Sequence, residues 1–448
     1  MTAPEISYNL ALDYLYSFVD YSLKHSSELA KAEFNLARMQ ALMEALGNPQ
    51  ERFTILHVAG TKGKGSVCAL AASALQAAGH RVGLYTSPHL LDYCERIQID
   101  GAPVSHPGLV SLVEKVKPGV ASIPKLTTFE ITTAMALLHF AEQGANAAVI
   151  EVGLGGRLDA TNVVTPSVTV ITSLSYDHMA VLGDTLAKIA TEKAGIIKEG
   201  VPVISAPQKS EALEVLIRIA RERDAAFTLV GRDLTFASLS HSLDGQSIRI
   251  EGRDRAVSTS MPLLGSHQVQ NAAAAAAALW AMDDRGLKVT DEDIARGFQQ
   301  VRWPARFEIA RREPPVIFDS AHNQDSFARL RQALDDYFPG RQAYLIFGAS
   351  EDKNIPGMFE ELRGKVRRLF ITKADHPRAL PAESIVPLAV SAGIAHEVIA
   401  PVRAAFERAI ELSEKDGSIV LSAGSMFVTA EAIAAWQARK TADARKET

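Results

Sequence analysis

Apolar residues along this chain alternate between two rhythms. Short continuous runs at 53–58, 81–85, 147–152, 168–172 and 201–204 have the length and β-rich composition of strands buried on both faces. Between them, 66–78, 128–143 and 185–196 repeat apolar positions every three or four residues, as helices do. The pattern predicts βαβ units and a mostly parallel sheet covered on both faces, with ligands at the carboxyl ends of its strands. Ahead of the first strand, 11–19 and 36–46 read as two amphipathic helices.

From 227 to 258 the rhythm shortens to pieces such as 227–230 and 247–251, punctuated by Gly231, Gly245 and Gly252, which predicts a small antiparallel addition. Helical spacing resumes at 266–282 and 291–300 and breaks at Trp303-Pro304. A second βα series follows, with strands at 316–318, 343–347, 368–372 and 418–421. The expected organisation is a first domain over 1–302, a second over 303–440 and a flexible charged tail over 441–448.

Composition narrows the class. At 448 residues the chain exceeds what one core supports, and 47% hydrophobic against 22% charged residues describes an ordinary soluble globular protein. A net charge of -5 argues against nucleic acid as a partner. Cys68 and Cys94, with no metal-type spacing, suit a reducing cytoplasm. The amino terminus mixes Glu5, Asp13 and Asp20 with apolar residues, unlike a signal peptide. The longest apolar run, 272–282, is about half of what a bilayer requires, so no membrane span is expected.

The first chemical signal is His57-Val58-Ala59-Gly60-Thr61-Lys62-Gly63-Lys64-Gly65-Ser66, between a strand-like and a helix-like run. Its glycines permit positive φ and close backbone approach, so successive N–H groups can face a phosphate while Lys64 supplies a point charge. Two lysines at a helix N-terminus are otherwise disfavoured by its dipole, which implies a bound anion such as ATP or GTP. Gly65 stands between Lys64 and the Ser66 hydroxyl, so the loop departs from the common G-x-x-x-x-G-K-[ST] pattern.

Other candidates also follow strands. Thr86-Ser87-Pro88-His89-Leu90 is either a stiffened turn or a Mg²⁺-binding hydroxyl at Ser87, which adjacent strand ends would bring near Ser66. Glu151, opening the run to Asn162, is a hard-cation ligand or a solvent-facing acid; Asp159 can equally cap the next segment. His178 reads as a structural histidine or a crevice residue, and Lys193 as a helix-surface cation. In the second half, Asp319 and His322 can meet nucleotide hydroxyls, Asn323 can cap a helix, and Arg306 suits bidentate phosphate contact or an ion pair.

Taken together these residues resemble the folylpolyglutamate synthase and dihydrofolate synthase family, relatives of the Mur ligases. The resemblance runs from about residue 9 to 437 and is carried by 57–66, 86–90 with Glu95-Arg96-Ile97, 151–162, Asp177-His178, Leu182-Gly183 and 192–198. It continues through His267-Gln268, Asn271, 303–308, 319–323, Asp352-Lys353, Pro377-Arg378-Ala379 and Gly424-Ser425. Lys62, Ala305, Asn35 and the stretch Asn323-Gln324-Asp325-Ser326 depart from the family's usual residues. The implied fold is α/β: an N-terminal P-loop domain of Mur-ligase type on a mostly parallel sheet, and a smaller C-terminal Rossmann-like domain.

The resemblance implies that Gly60, Thr61, Lys62, Gly63, Lys64, Gly65 and Ser66 bind ATP, with Asn271, Arg306, Asp319 and His322 as further nucleotide contacts. It makes Ser87, Glu151, His178 and Lys193 the metal set for Mg²⁺, two ions in all, with Lys193 carbamylated, and Lys64, His178 and Lys193 the catalytic residues. Thr127, Thr128, Phe129, Glu130, Leu158, Asp159 and Ala160 match the region that receives the pterin substrate. The implied activity is a cytoplasmic, monomeric ligase joining L-glutamate to tetrahydrofolate, and to dihydropteroate, through an acyl phosphate. ATP is consumed, no redox cofactor is needed, and domain closure about residues 301–307 assembles the site. The alternatives are a Mur-type ligase acting on a UDP-muramyl substrate, against which stands the short stretch before the loop, and an ATP-binding switch without ligase chemistry.

Overall fold

The computed structural model describes residues 3–20 and 35–444. The chain divides into two compact units, one comprising residues up to 239, 247–262 and 268–301, the other 240–246, 263–267 and 302 onward.

The first unit is built on eight strands: β1 Thr54–Ala59, β2 Val82–Tyr85, β3 Ile97–Ile99, β4 Ala102–Pro103, β5 Ala147–Glu151, β6 Val168–Ile171, β7 Val203–Ser205 and β8 Phe227–Leu229. Their spatial order is β4-β3-β2-β5-β1-β6-β7-β8. β2, β5, β1, β6, β7 and β8 run parallel, and β3 and β4 extend the sheet as an antiparallel meander. Every residue of β2, β5 and β6 is buried, which is why these strands read as unbroken apolar runs.

Two expectations change here. The stretch 227–230, read as part of the small antiparallel addition, contributes β8, the parallel edge of the main sheet. The helix Ser210–Glu222 precedes it, and a strand reached through a helical crossover returns parallel. Ser66 and Ser87 do not follow adjacent strands, because β5 lies between β1 and β2. The residue between those two strand ends is therefore Glu151, the last of β5.

Helices cover the sheet. Lys64–Ala77 follows β1 and buries nearly its whole length through small residues, and Thr128–Glu142 is sealed by Ile131, Met135 and Phe140. The amino-terminal helix spans Ala3–Tyr16 and stops before Val19, whose carbonyl instead accepts the Thr128 N–H at 3.1 Å. Asn35, a departure from the family pattern, caps Leu36–Ala45 by accepting the Ala37 N–H at 2.8 Å.

A separate three-stranded sheet is formed by β9 Thr235–Ser242, β10 Gly245–Glu251 and β11 Ala256–Met261. The second unit carries a six-stranded sheet of β12 Glu308–Arg312, β13 Pro315–Phe318, β14 Ala343–Phe347, β15 Val366–Ile371, β16 His396–Val398 and β17 Ile419–Ala423, in the order β12-β13-β17-β14-β15-β16. All its neighbours are parallel except the β12 edge. Phe327, Phe347 and Phe359 fill its core, with ring centroids 6.1 and 5.1 Å apart in sequence. The last helix, Met426–Ala444, includes residues 441–444 where a tail was expected, and 445–448 lie outside the described residues. No helix among the described residues is long and apolar enough to cross a membrane.

Candidate active site

The carboxyl ends of β1, β5 and β6 carry the phosphate loop and its neighbours. Gly60 has φ +150°, and a Cβ there would lie 1.8 Å from the Thr172 hydroxyl oxygen. Gly63, at φ +92°, begins the helix Lys64–Ala77, and its Cβ would lie 2.3 Å from Asn271 Oδ1. Both positions demand glycine for conformation and for space. The N–H groups of Thr61 and Lys62 donate to the Ser173 carbonyl at 3.0 and 3.1 Å, which pins the loop to the end of β6. The helix N-terminus therefore follows a loop of fixed shape, the arrangement that receives phosphate.

Around it the structure gathers Glu151 with Lys64, Asp177 with Lys62, and Lys193. Glu151, 5% exposed, has one carboxylate oxygen 3.8 Å from Lys64 Nζ, while the other accepts the Ser87 N–H at 3.2 Å. Lys62 Nζ donates to Asp177 at 3.1 Å, and the other Asp177 oxygen accepts the His178 N–H, also at 3.1 Å. His178 adopts φ +49°, unusual for a non-glycine residue, at the start of the short helix Met179–Leu182. Lys193 is no surface cation: it is 5% exposed and donates to the Gly60 carbonyl at 2.9 Å. Burial, reinforced by the positive charge of Lys64, lowers its pKa to about 7.

The acids and hydroxyls expected at the pterin region are largely engaged with backbone. Thr127 and Glu130 form a reciprocal capping box at the start of Thr128–Glu142, and Glu130 also receives Arg38 at 3.2 Å. Thr128 donates to the Leu15 carbonyl at 2.8 Å. Asp159 accepts N–H bonds from Leu154 and Thr161 at 2.8 and 3.0 Å and the Thr161 hydroxyl at 2.6 Å; burial nevertheless raises its pKa. Ala160 is buried, while Leu158 and Phe129 keep partial exposure, with the Phe129 ring 6.0 Å from that of Tyr85.

His57, part of the first motif but given no role of its own there, is a supporting residue. Its Nε2 lies 2.9 Å from the Thr161 hydroxyl, so a buried line His57–Thr161–Asp159 runs beneath this region. Its signal was a polar residue inside an otherwise apolar strand. Asp177, quoted in the sequence only alongside His178, is another, as the partner of Lys62.

In the second unit Arg306 bonds the Ser320 hydroxyl and the Ala305 carbonyl and lies 5.8 Å over the Trp303 ring. Asp319, whose pKa burial raises, accepts the Phe307 and Ala321 N–H groups at 2.7 and 2.8 Å. His322 Nδ1 lies 2.9 Å from the Ser320 carbonyl, and Asn323 caps the helix Gln324–Tyr337. The strand end after β13 thus presents a carboxylate at Asp319 and an imidazole at His322, and the guanidinium of Arg306, which precedes β12, reaches the same strand end through Ser320.

A glycine-shaped phosphate loop backed by a buried carboxylate and a buried amine, on a parallel sheet in a chain with a second α/β unit, defines a Mur-type ligase. Residues 58–279 match the Mur ligase middle domain and residues 305–426 the Mur ligase glutamate ligase domain. The dihydrofolate synthase/folylpolyglutamate synthase of Bacillus subtilis is 37% identical over 360 residues, covering 78% of this chain and 83% of the relative. That of Mycobacterium tuberculosis is 37% identical over 382 residues, covering 80% and 77%. The Mycobacterium tuberculosis folylpolyglutamate synthase complexed with ADP superposes with a TM-score of 0.87 at 32% identity, covering 96% of this chain and 98% of that one. Escherichia coli FolC in complex with DHPP and ADP gives 0.81 at 29%, covering 94% and 100%. The chain belongs to the dihydrofolate synthase/folylpolyglutamate synthase family and is an ATP-dependent ligase.

Proposed function

We propose that this chain uses ATP to join L-glutamate to a reduced folate, and to dihydropteroate, with the phosphate loop and Lys64 as the phosphoryl-transfer centre. The observation that carries the reading is the placement of Lys64 at the N-terminus of its helix, 3.8 Å from the buried Glu151 carboxylate. The names of the relatives point to the same substrates.

In the proposed reaction a substrate carboxylate oxygen attacks the γ-phosphorus of ATP, the bond to the β-bridging oxygen breaks, and ADP leaves an acyl phosphate. The glutamate amine then attacks the acyl carbon, the C–O bond to phosphate breaks, and the amine loses a proton as the amide forms. Lys64 and the loop N–H groups offset the charge of the transferring phosphoryl group, which is chiefly a positioning and electrostatic task. Thr61, Lys62, Gly65 and Ser66 line the same loop, and Asn271 stands against Gly63. Arg306, Asp319 and His322 are the second unit's proposed nucleotide-directed groups.

The oxygen donors fit Mg²⁺: a buried carboxylate at Glu151, the end of β5, and a hydroxyl at Ser87 would hold it, with the His178 imidazole as a further neutral donor, leaving the remaining positions to phosphate and water. When bound, the ion would neutralise phosphate charge. Lys193 is proposed to be carbamylated: its neutral amine adds to the carbon of CO₂, an N–C bond forms and a proton is released. That replaces an ammonium by an anion beside the loop. Both cysteines are free and buried, which agrees with a cytoplasmic location.

The test offers purified protein MgATP and labelled L-glutamate with dihydropteroate, tetrahydrofolate or a UDP-muramyl substrate in parallel, and identifies products by mass. Glutamate transfer to a pterin supports the reading. Transfer to neither pterin overturns it.

A further inference from the structure

Away from the phosphate loop, one group of side chains is not used by this chemistry. Asp92, Cys94 and His106 place a carboxylate oxygen, a thiol sulfur and an imidazole nitrogen all within 4.8 Å of one another. Asp92 caps the turn Tyr93–Arg96, and His106 opens the helix Ser105 caps, His106–Ser122. The intervening meander β3–β4 folds these two points of the chain together, which is why their spacing in sequence resembles no metal motif.

We propose that Asp92, Cys94 and His106 form a binding site for a zinc-class transition-metal ion that fastens the turn at 92–96 to the helix beginning at 106. The donor chemistry selects the ion. One thiolate with one imidazole and one carboxylate is a set that Zn²⁺ takes in tetrahedral geometry, with water at the fourth position, and that Mg²⁺ does not choose.

The surroundings are arranged as support for such ligands. Tyr8 donates its hydroxyl to Asp92 Oδ1 at 3.0 Å, and the Cys94 N–H donates to the same oxygen at 2.8 Å. Asp92 Oδ2 is thereby the oxygen left to face His106 Nε2, at 2.7 Å. The Tyr8 ring stacks on His106 with centroids 3.7 Å apart and planes 9° from parallel, which fixes the imidazole orientation. Groups that hold ligands in this way are a regular part of metal sites. Glu95, the other acid of the turn, is excluded as a ligand because its oxygens accept the Leu90, Leu91 and Asp92 N–H groups.

Binding asks the three ligands to rearrange, since they lie within 4.8 Å of one another and a tetrahedral ion draws its ligand atoms closer than that while parting Asp92 from His106. Two ligand atoms on a tetrahedral zinc lie roughly 3.3 Å apart, so the Asp92–His106 contact must open by about half an ångström. The His106 side chain is 45% exposed, and an in-plane shift of that size keeps its stacking on Tyr8. The Cys94 thiol proton leaves as the Sγ–metal bond forms, and the His106 proton that Nε2 donates to Asp92 leaves that nitrogen, the neutral ring keeping its hydrogen on Nδ1, so that the Nε2 lone pair can coordinate.

The experiment uses the full chain, stripped with a chelator and titrated with Co²⁺. The expected result is a thiolate-to-cobalt charge-transfer band in the near ultraviolet, saturating at one ion per chain. Co²⁺ at the phosphate-loop residues gives no such band, since Ser87, Glu151 and His178 include no sulfur. Cys94→Ser should abolish the band and Cys68→Ser should retain it. His106→Asn, an exposed change that leaves the fold intact if Cys94→Ser does not fold, should raise half-saturation at least tenfold. Zn²⁺ should raise the melting temperature of the wild type and of Cys68→Ser but not of His106→Asn. No thiolate band in the wild type, or a band that survives Cys94→Ser, overturns the site.

Discussion

Lys193 Nζ lies 2.9 Å from the carbonyl oxygen of Gly60, so a buried amine on the helix Leu186–Ala194 is tied to the first glycine of the phosphate loop. The two residues are remote in sequence, and the contact joins the shape of the loop to the chemical state of one lysine. A neutral amine near pH 7 is a nucleophile, whereas an ammonium is not.

Carbamylation follows from that state. Lys193→Ala is expected to lose activity on the order of 10²-fold or more, as when a preorganised charge is removed from a phosphoryl-transfer site. Short carboxylic acids should restore part of it by occupying the vacated space. Intact-protein mass measured without acid should show a carbamyl adduct in the wild type alone. Full activity in Lys193→Ala would remove the modification from the mechanism.

The same residue makes stability depend on pH. Its folded pKa is about 7, against 10.5 for an ordinary lysine. Between those values the unfolded chain binds a proton that the folded chain does not, so stability rises with pH across the window. In CO₂-depleted buffer the melting temperature of the wild type should climb from pH 7 toward pH 10, beyond the trend of Lys193→Met. Parallel curves for the two proteins would show that Lys193 is charged in the fold.

How much of this was visible beforehand depended on burial. The strands β1, β5 and β6 were legible because parallel strands covered on both faces are continuously apolar. β12, Glu308–Arg312, was missed because it is a half-buried edge strand with a charged sequence. The direction of β8 was misread because three residues carry no signal of their partner. Gly60, Gly63 and Lys64 stood out locally, as loop chemistry does. The burial of Lys193 did not, since a lysine on an amphipathic helix gives no sign of facing inward. Asp92, Cys94 and His106 meet only through tertiary folding.

Gly63 offers a steric test. Alanine there must hold φ near +92° and push a methyl against Asn271 Oδ1. Backbone strain of this kind costs about 1–3 kcal/mol, and the clash adds to it. Gly63→Ala should weaken ATP binding at least tenfold by calorimetry. Pairing it with Asn271→Ala relieves the clash but leaves the strain, so the double variant should recover only part of the loss. Complete recovery would mean that conformation at Gly63 contributes nothing.

Glu151 decides what the buried carboxylate is for. It faces Lys64 at 3.8 Å and accepts the Ser87 N–H at 3.2 Å, so it serves either as the partner of an ammonium or as a metal ligand beside the nucleotide. Glu151→Gln keeps an oxygen for the Ser87 N–H while removing the charge. If the carboxylate holds Mg²⁺, ATP affinity without the ion should be unchanged or improved, because a negative charge near the triphosphate is gone. The gain in affinity on adding Mg²⁺ should then shrink by about tenfold or more, the scale on which ligand environments set metal affinity. Calorimetric titration of ATP with and without Mg²⁺ measures both arms. An equal Mg²⁺ gain in the two proteins would assign Glu151 to Lys64 alone and move the metal to other residues of the rim.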